Sequence, residues 1–240
     1  MDSSGYVTLN RQVGLMREMQ SVAHNISNAS TTGFRREGVV FSEHIAAVEG
    51  PGGSLSMANA HVREIDLSQG PLKQTNGRFD FAIEGEGFFL LETPQGERLT
   101  RAGSFTPDAN GELVSPDGHR LLDAGGAPVF VPPDAASVSM AADGTLSADG
   151  RPLTQVGLYQ PADAKAMTHV AGTLFDPGGP TEPVLETTLL QGFVEESNVD
   201  PVSEIARMIE VQRAYELGQT FLDREDERVR AAIRTLSGGT

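Results

Sequence analysis

Two segments with helical periodicity sit at opposite ends of this chain, and no comparable segment lies between them. In residues 4–28, Leu9, Val13 and Met16 form one apolar stripe, and Leu15, Met19, Val22 and Ile26 form a second beside it. Together the stripes cover more than half of the helix circumference, whereas a helix lying on a single core needs a narrower band. The width points to more than one neighbour. Near the other end, "ESNVDPVSEIARMIEVQRAYE" offers Asp200 as an N-cap, Pro201 at the first helical position and Glu204 in the first turn. Met208, Tyr215, Leu222, Val229 and Leu236 then recur every seven residues. Ile205 and Ile233 read as the two ends of an accompanying row whose middle is Gln212, Gln219 and Asp226. That pattern is a heptad seam with one apolar row and one partly polar row. Neither helix can bury its apolar face locally. The simplest solution pairs them as an antiparallel, coiled-coil-like layer, with the intervening chain as an insertion.

The stretch "NISNASTTGF", residues 25–34, tells where the first helix gives way. Asn, Ser and Thr compete for backbone hydrogen bonds and erode a helix, and Gly33 supplies a position free of Cβ. Phe34 follows as an apolar anchor. From Arg35 to Gly70 the pattern is weak, with Gly-Pro-Gly-Gly at 50–53 marking a loop tip, so an extended or hairpin-like region is expected. Residues 70–192 are rich in strand signals: Phe79, Phe81 and Ile83 alternate with Asp80 and Ala82. Turn dipeptides recur at Asn76-Gly77, Asn110-Gly111, Asp117-Gly118, Asp143-Gly144 and Asp149-Gly150. The chain returns to its helical layer through Asn198, Asp200 and Pro201. The expected class is α+β. Residues 1–30 form the N-terminal helix, 31–78 an extended or hairpin linker, 79–192 a mainly antiparallel β domain of small-sandwich or irregular-barrel type, and 193–240 the crossing segment and C-terminal helix.

Charge narrows the partners. The chain carries a net charge of −15, so nucleic acid and anionic lipid would be repelled. Residues 1–36 sum to +2 and residues 200–240 to −2, which leaves the whole deficit on the middle. An acidic middle suits a solvated surface, and near-neutral ends suit segments that pack closely. Cys is absent, which removes disulfides and thiol chemistry. The beginning of the sequence shows no basic-then-apolar secretory pattern, and its apolar runs, such as Phe88–Leu91, are too short to span a bilayer. No direct membrane insertion is expected.

The search for reactive constellations returns structural readings. His24, His44, His61, His119 and His169 lack metal-ligand spacing. Asp143 and Asp149 lack the ligand ladder of a calcium loop. Glu84 and Glu86 resemble a glycosidase pair only in sharing a strand face. No catalytic residue, metal ligand, cofactor or small-molecule substrate is assigned.

Three long motifs, in matching order, nonetheless carry a resemblance. "VAHNISNASTTGFRRE" (22–37) is similar to the Asn-rich N-terminal signature of bacterial flagellar rod and hook proteins. "ESNVDPVSEIARMIEVQRAYE" (196–216) is similar to their C-terminal signature, and residues 69–89 and 100–122 to the β domain of rod subunits. His24 departs from the family's usual Asn. The Met-Asp start, the length and the compact β domain resemble a proximal rod subunit; distal rod subunits share much of the pattern, and hook subunits carry longer insertions. The resemblance implies a structural subunit of a torque-transmitting helical shaft. It would be exported by the flagellar type III apparatus without a cleaved signal and assemble in the periplasmic rod with neighbouring rod proteins and with itself. The implied assembly set is Leu9, Val13, Met16, Met19, Val22, Asn25, Ile26, Asn28, Phe34, Ile205, Met208, Tyr215, Leu222, Val229 and Leu236. Gly33, Asn198, Asp200 and Pro201 mark the helix-to-β crossings. The competing reading is a carbohydrate-binding or enzymatic β domain that dimerises through terminal helices.

Overall fold

The computed structural model describes residues 3–47, 54–184 and 187–237, with side chains for residues 8–40, 64–184 and 187–235. The expected loop tip at 50–53 and the side chain of Leu236 lie outside the described residues. The fold is α+β: an N-terminal helix, a β-rich middle and a C-terminal helix. Helix α1 spans Ser3–Ser27 and helix α2 spans Pro201–Ser237. The chain divides into two units, one of residues 1–27, 37–64 and 200–240, the other of residues 28–36 and 65–199.

In the first unit α1 and α2 pack antiparallel. The strands Glu37–Ala47 and Ser54–Ile65 pair with each other, and the first of them runs beside α1. The stretch 31–78, read from sequence as one linker, is thus divided. Residues 37–64 group with the helices, while 31–36 and 65–78 belong to the β unit.

The second unit is built from short strands because tight turns interrupt the chain every few residues. Asp149 and Asn76 hold positive φ in two of these turns. The largest sheet has nine strands, with Phe88–Thr93 in its interior, paired to Gly96–Thr100, Arg120–Leu121 and Leu158–Pro161. A three-stranded sheet of Val138–Met140, Thr145–Ala148 and Arg151–Gln155 lies outside it in the pairing order. Two-stranded pairs join Phe81–Glu84 to Thr188–Gln191 and Leu72–Gln74 to Phe193–Glu195.

The run Phe88-Phe89-Leu90-Leu91 is explained by its place. Successive side chains of a strand point to opposite faces. Phe89 and Leu91 enter one core with Phe81, Ile83, Leu113, Leu121 and Leu146, while Phe88 and Leu90 enter another with Leu99, Met167 and Phe175. A strand buried on both faces reads as a continuous apolar run rather than an alternation. Phe81-Ala82-Ile83 behaves the same way, since Ala82 is as buried as its neighbours. The polar-out alternation inferred for that segment is corrected accordingly.

Candidate assembly surface

The helix pair is built from one face of α1. Gln12, Leu15, Glu18, Val22 and Asn25 are buried there, with Met19 and Ile26 partly covered. On α2 the facing residues are Glu204 and Val211, both buried, with Met208, Tyr215, Gly218 and Leu222 partly covered. Polar contacts along the seam fix the antiparallel direction. Asn25 Nδ2 donates to Glu204 Oε2 at 3.1 Å, Arg207 Nε to Glu18 Oε1 at 2.7 Å, and Gln12 Nε2 to the Tyr215 carbonyl at 2.9 Å. The bond to Glu18, opposed by partial burial, raises the Arg207 pKa above its ordinary value. A Cβ at Gly218 would fall 2.1 Å from Gln12 Nε2, so glycine is what admits that side chain.

The sequence reading of the seam needs one correction. The row beside Met208, Tyr215 and Leu222 is Glu204, Val211, Gly218 and Glu225, not Ile205, Gln212, Gln219 and Asp226. Ile205 is exposed and Val211 is buried. A seven-residue apolar row has two possible companions, four residues before it or three. Hydrophobicity favoured Ile205 at the start, but glycine and buried, hydrogen-bonded acid occupy the row that α1 covers.

The outward faces are apolar as well. Leu9 and Val13 are each 52% exposed and Met16 is 41% exposed. On a helix advancing about 100° per residue these three lie opposite the face that touches α2. On α2, Val202, Ile205, Ile209, Leu217, Phe221, Val229 and Ile233 are exposed. Sequence reasoning passed over Val202, Ile209, Leu217 and Phe221; their signal was apolar character off the heptad row.

Other members of the expected set have intramolecular places. Asn25, fully buried, pairs with the backbone of Glu37 in both directions: Nδ2 donates to the carbonyl at 2.8 Å, and the Glu37 N–H donates to Oδ1 at 2.9 Å. Ser21 Oγ donates to the same carbonyl at 3.0 Å. His24 places Nδ1 3.5 Å from Glu37 Oε2. The side chain of Asn25 therefore joins α1, α2 and the following strand. Asn28 caps the turn after α1, its carbonyl accepting from the Thr31 N–H at 3.0 Å. Phe34 is fully buried, its ring 5.3 Å from that of His169.

The β unit holds its two crossing segments together with buried charge. Gly33, at φ +73°, donates its N–H to the Glu195 carbonyl at 2.7 Å, and a Cβ there would fall 2.2 Å from the Ala102 nitrogen. The Glu195 carboxylate pairs with Arg35, accepts from the Gly70 N–H at 2.8 Å and pairs with Arg101 at 3.1 Å. All three charged side chains are almost wholly inaccessible. Burial pulls the Arg35 pKa down and takes Arg101 to about 10, with Glu195 opposing both shifts. Asn198 completes the clamp: Oδ1 accepts from the Arg36 N–H at 2.7 Å, and Nδ2 donates to the carbonyls of Asp66 and Ser68 at 3.0 and 2.9 Å. In the first unit, Asp200 caps α2 by accepting from the Val202 N–H at 3.1 Å, and Pro201 opens the helix. Arg35, Arg101 and Glu195 were not singled out from the sequence. Their types gave no signal, because charged residues are usually solvated.

Comparison with known proteins finds relatives along nearly the whole chain. The family described as "Flagellar hook protein FlgE/F/G D1 domain" matches residues 82–148, and that described as "Flagellar basal body rod FlgEFG protein C-terminal" matches residues 190–235. The chain is 38% identical to a flagellar basal-body rod protein FlgF of Mesorhizobium japonicum, covering 98% of each chain. It is 36% identical to an FlgF of Caulobacter vibrioides, again over 98% of each, and 29% identical to an FlgG of Bacillus subtilis, over 88% of this chain and 90% of the relative. With its paired terminal helices and inserted β unit, the chain belongs to the flagellar basal-body rod protein family and is most like its FlgF members.

Proposed function

We propose that this rod subunit joins its neighbours through the outward faces of its terminal helices, while the acidic β unit serves as its solvated part. The chain is a structural subunit, not an enzyme. The observation that carries the assembly reading is the uncovered stripe Leu9, Val13 and Met16 on a helix already buried on its other side. Covering such side chains contributes about 1.5–3 kcal/mol each. Val202, Ile205 and Ile209 on α2 offer a second surface of the same kind. The partners are other rod subunits and further copies of this chain, assembling in the periplasm after export by the flagellar type III apparatus. A stiff shaft suits the role, since torque must pass from motor to hook through packed helices.

The competing reading of a carbohydrate-binding or catalytic β domain is not favoured. The relatives that match nearly the whole chain are basal-body rod proteins. Val13→Asp tests the assembly reading. The exposed position leaves the fold and thermal unfolding of the purified chain unchanged, while the variant is missing from isolated basal bodies and its cells do not swim. Wild-type swimming by that strain would overturn the proposal.

A further inference from the structure

We infer that the free end of α2 seats on the outward stripe of α1 in a second copy of this chain, so that copies join head to tail. This deepens the assembly reading above and rests on it. The first observation is a difference in length: α1 has 25 residues and α2 has 37. The contacts of Asn25 with Glu204 and of Gln12 with Tyr215 set the register. Continued at the 1.5 Å rise of both helices, that register brings Ser3 opposite about residues 224–226 of α2. Beyond that point the seam row runs on. Val229 keeps the seven-residue spacing from Leu222, Ile233 falls beside it, and they are 45% and 59% exposed.

The second observation is a match of spacing. Leu9, Val13 and Met16 stand at i, i+4 and i+7, and so do Val229, Ile233 and, in the sequence, Leu236. Side chains at those offsets share one helix face. An antiparallel meeting, like the one α1 and α2 already make, sets Met16 against Val229 and Val13 against Ile233. The two stripes do not meet within one copy. The α1 stripe faces away from its own α2, and the α2 stripe lies past the end of its own α1.

Arg230 pairs with Asp226 at 2.8 Å and Arg228 pairs with Glu225, so ion pairs border the α2 stripe on its own helix. Because the two surfaces differ, a joined pair still keeps one stripe of each kind unfilled, one on each copy. A heterologous contact of that sort propagates rather than closing as a two-fold dimer. A few side chains on each side make a small interface, well below the roughly 800 Å² per partner of a standard complex. One such contact is weak and is useful only as part of a repeating array.

The absence of Cys in the chain permits a direct test. Full-length Val13→Cys and Ile233→Cys chains, separately tagged, are produced together in the source bacterium, and isolated basal bodies are mildly oxidised. Met16→Cys with Val229→Cys forms a second, independent pair. The expected result is a mixed disulfide dimer several-fold above either like-with-like dimer. Like-with-like dimers in excess would indicate a symmetric contact and overturn the inference. So would basal bodies that contain the chain but yield no mixed dimer from either pair, which would assign the stripe to a different rod subunit and leave the assembly reading standing. A wild-type chain that never reaches the basal body would bring down the assembly reading itself.

Discussion

Glu195 accounts for more of the β unit's specificity than its type would suggest. It lies buried between two arginines, takes a backbone N–H from Gly70 and offers its own carbonyl to Gly33. Removing one partner of a buried ion pair leaves an uncompensated charge, which costs about 3–5 kcal/mol. Glu195→Gln is therefore expected to destabilise the β unit by that amount in urea unfolding. A triple change of Arg35, Arg101 and Glu195 to apolar residues of similar volume should recover most of the loss, because desolvation of the charges disappears along with their attraction. A Glu195→Gln variant as stable as wild type would show that the triad is not the clamp. Asn25 is the corresponding residue in the helical unit. Asn25→Ala removes two backbone bonds to Glu37 and one to Glu204, and leaves buried polar groups unsatisfied at about 1–3 kcal/mol.

At the scale of elements, the helix pair and the turns respond to different perturbations. Val211 is 3% exposed at the centre of the seam, and Ile205 is exposed on the outer face. Val211→Ala should cost about 2 kcal/mol of helical stability by far-UV circular dichroism, and Ile205→Ala no more than about 0.5 kcal/mol. Equal effects would restore the companion row that the sequence suggested. The β turns depend on acidity. Asp108, Asp143 and Asp149 have pKa values below the ordinary 3.8, each chiefly because its carboxylate accepts a backbone N–H within or beside a turn. A carboxylate whose pKa is depressed on folding stabilises the fold above its unfolded pKa and loses that contribution as pH falls through the folded value. The stability of the β unit should stay level from neutral pH to about 4 and decline below it. Replacing the three by Asn should flatten that decline; an unchanged acid profile would refute the turn assignment.

Across the whole molecule, the buried clusters of the β unit draw on no residue of the helical unit, so a lesion in the helices should read out separately. Leu222→Asp places a charge in the half-buried row of α2. It is expected to lower the helical transition seen in the far ultraviolet and to leave the near-ultraviolet signal of the β unit's Tyr159 and its phenylalanines in place. Loss of both signals in one transition would contradict this. The lesion should also block entry into the rod, since it unsettles the pair that presents the outer stripes.

The sequence by itself determined that the chain begins and ends in amphipathic helices, that a turn-rich β region separates them, and that the first helix has more apolar surface than one neighbour can cover. Periodicity, capping residues and turn dipeptides are local signals, carried within a few residues of where they act. Only the tertiary structure decided which stripe of α1 faces α2, which row of α2 answers it, and that Asn25 and Phe34 lie inside. It alone brought Arg35, Arg101 and Glu195 together from distant parts of the chain. Those outcomes depend on partners far apart in sequence, and a buried charge is stable only beside a counter-charge whose approach no local pattern records.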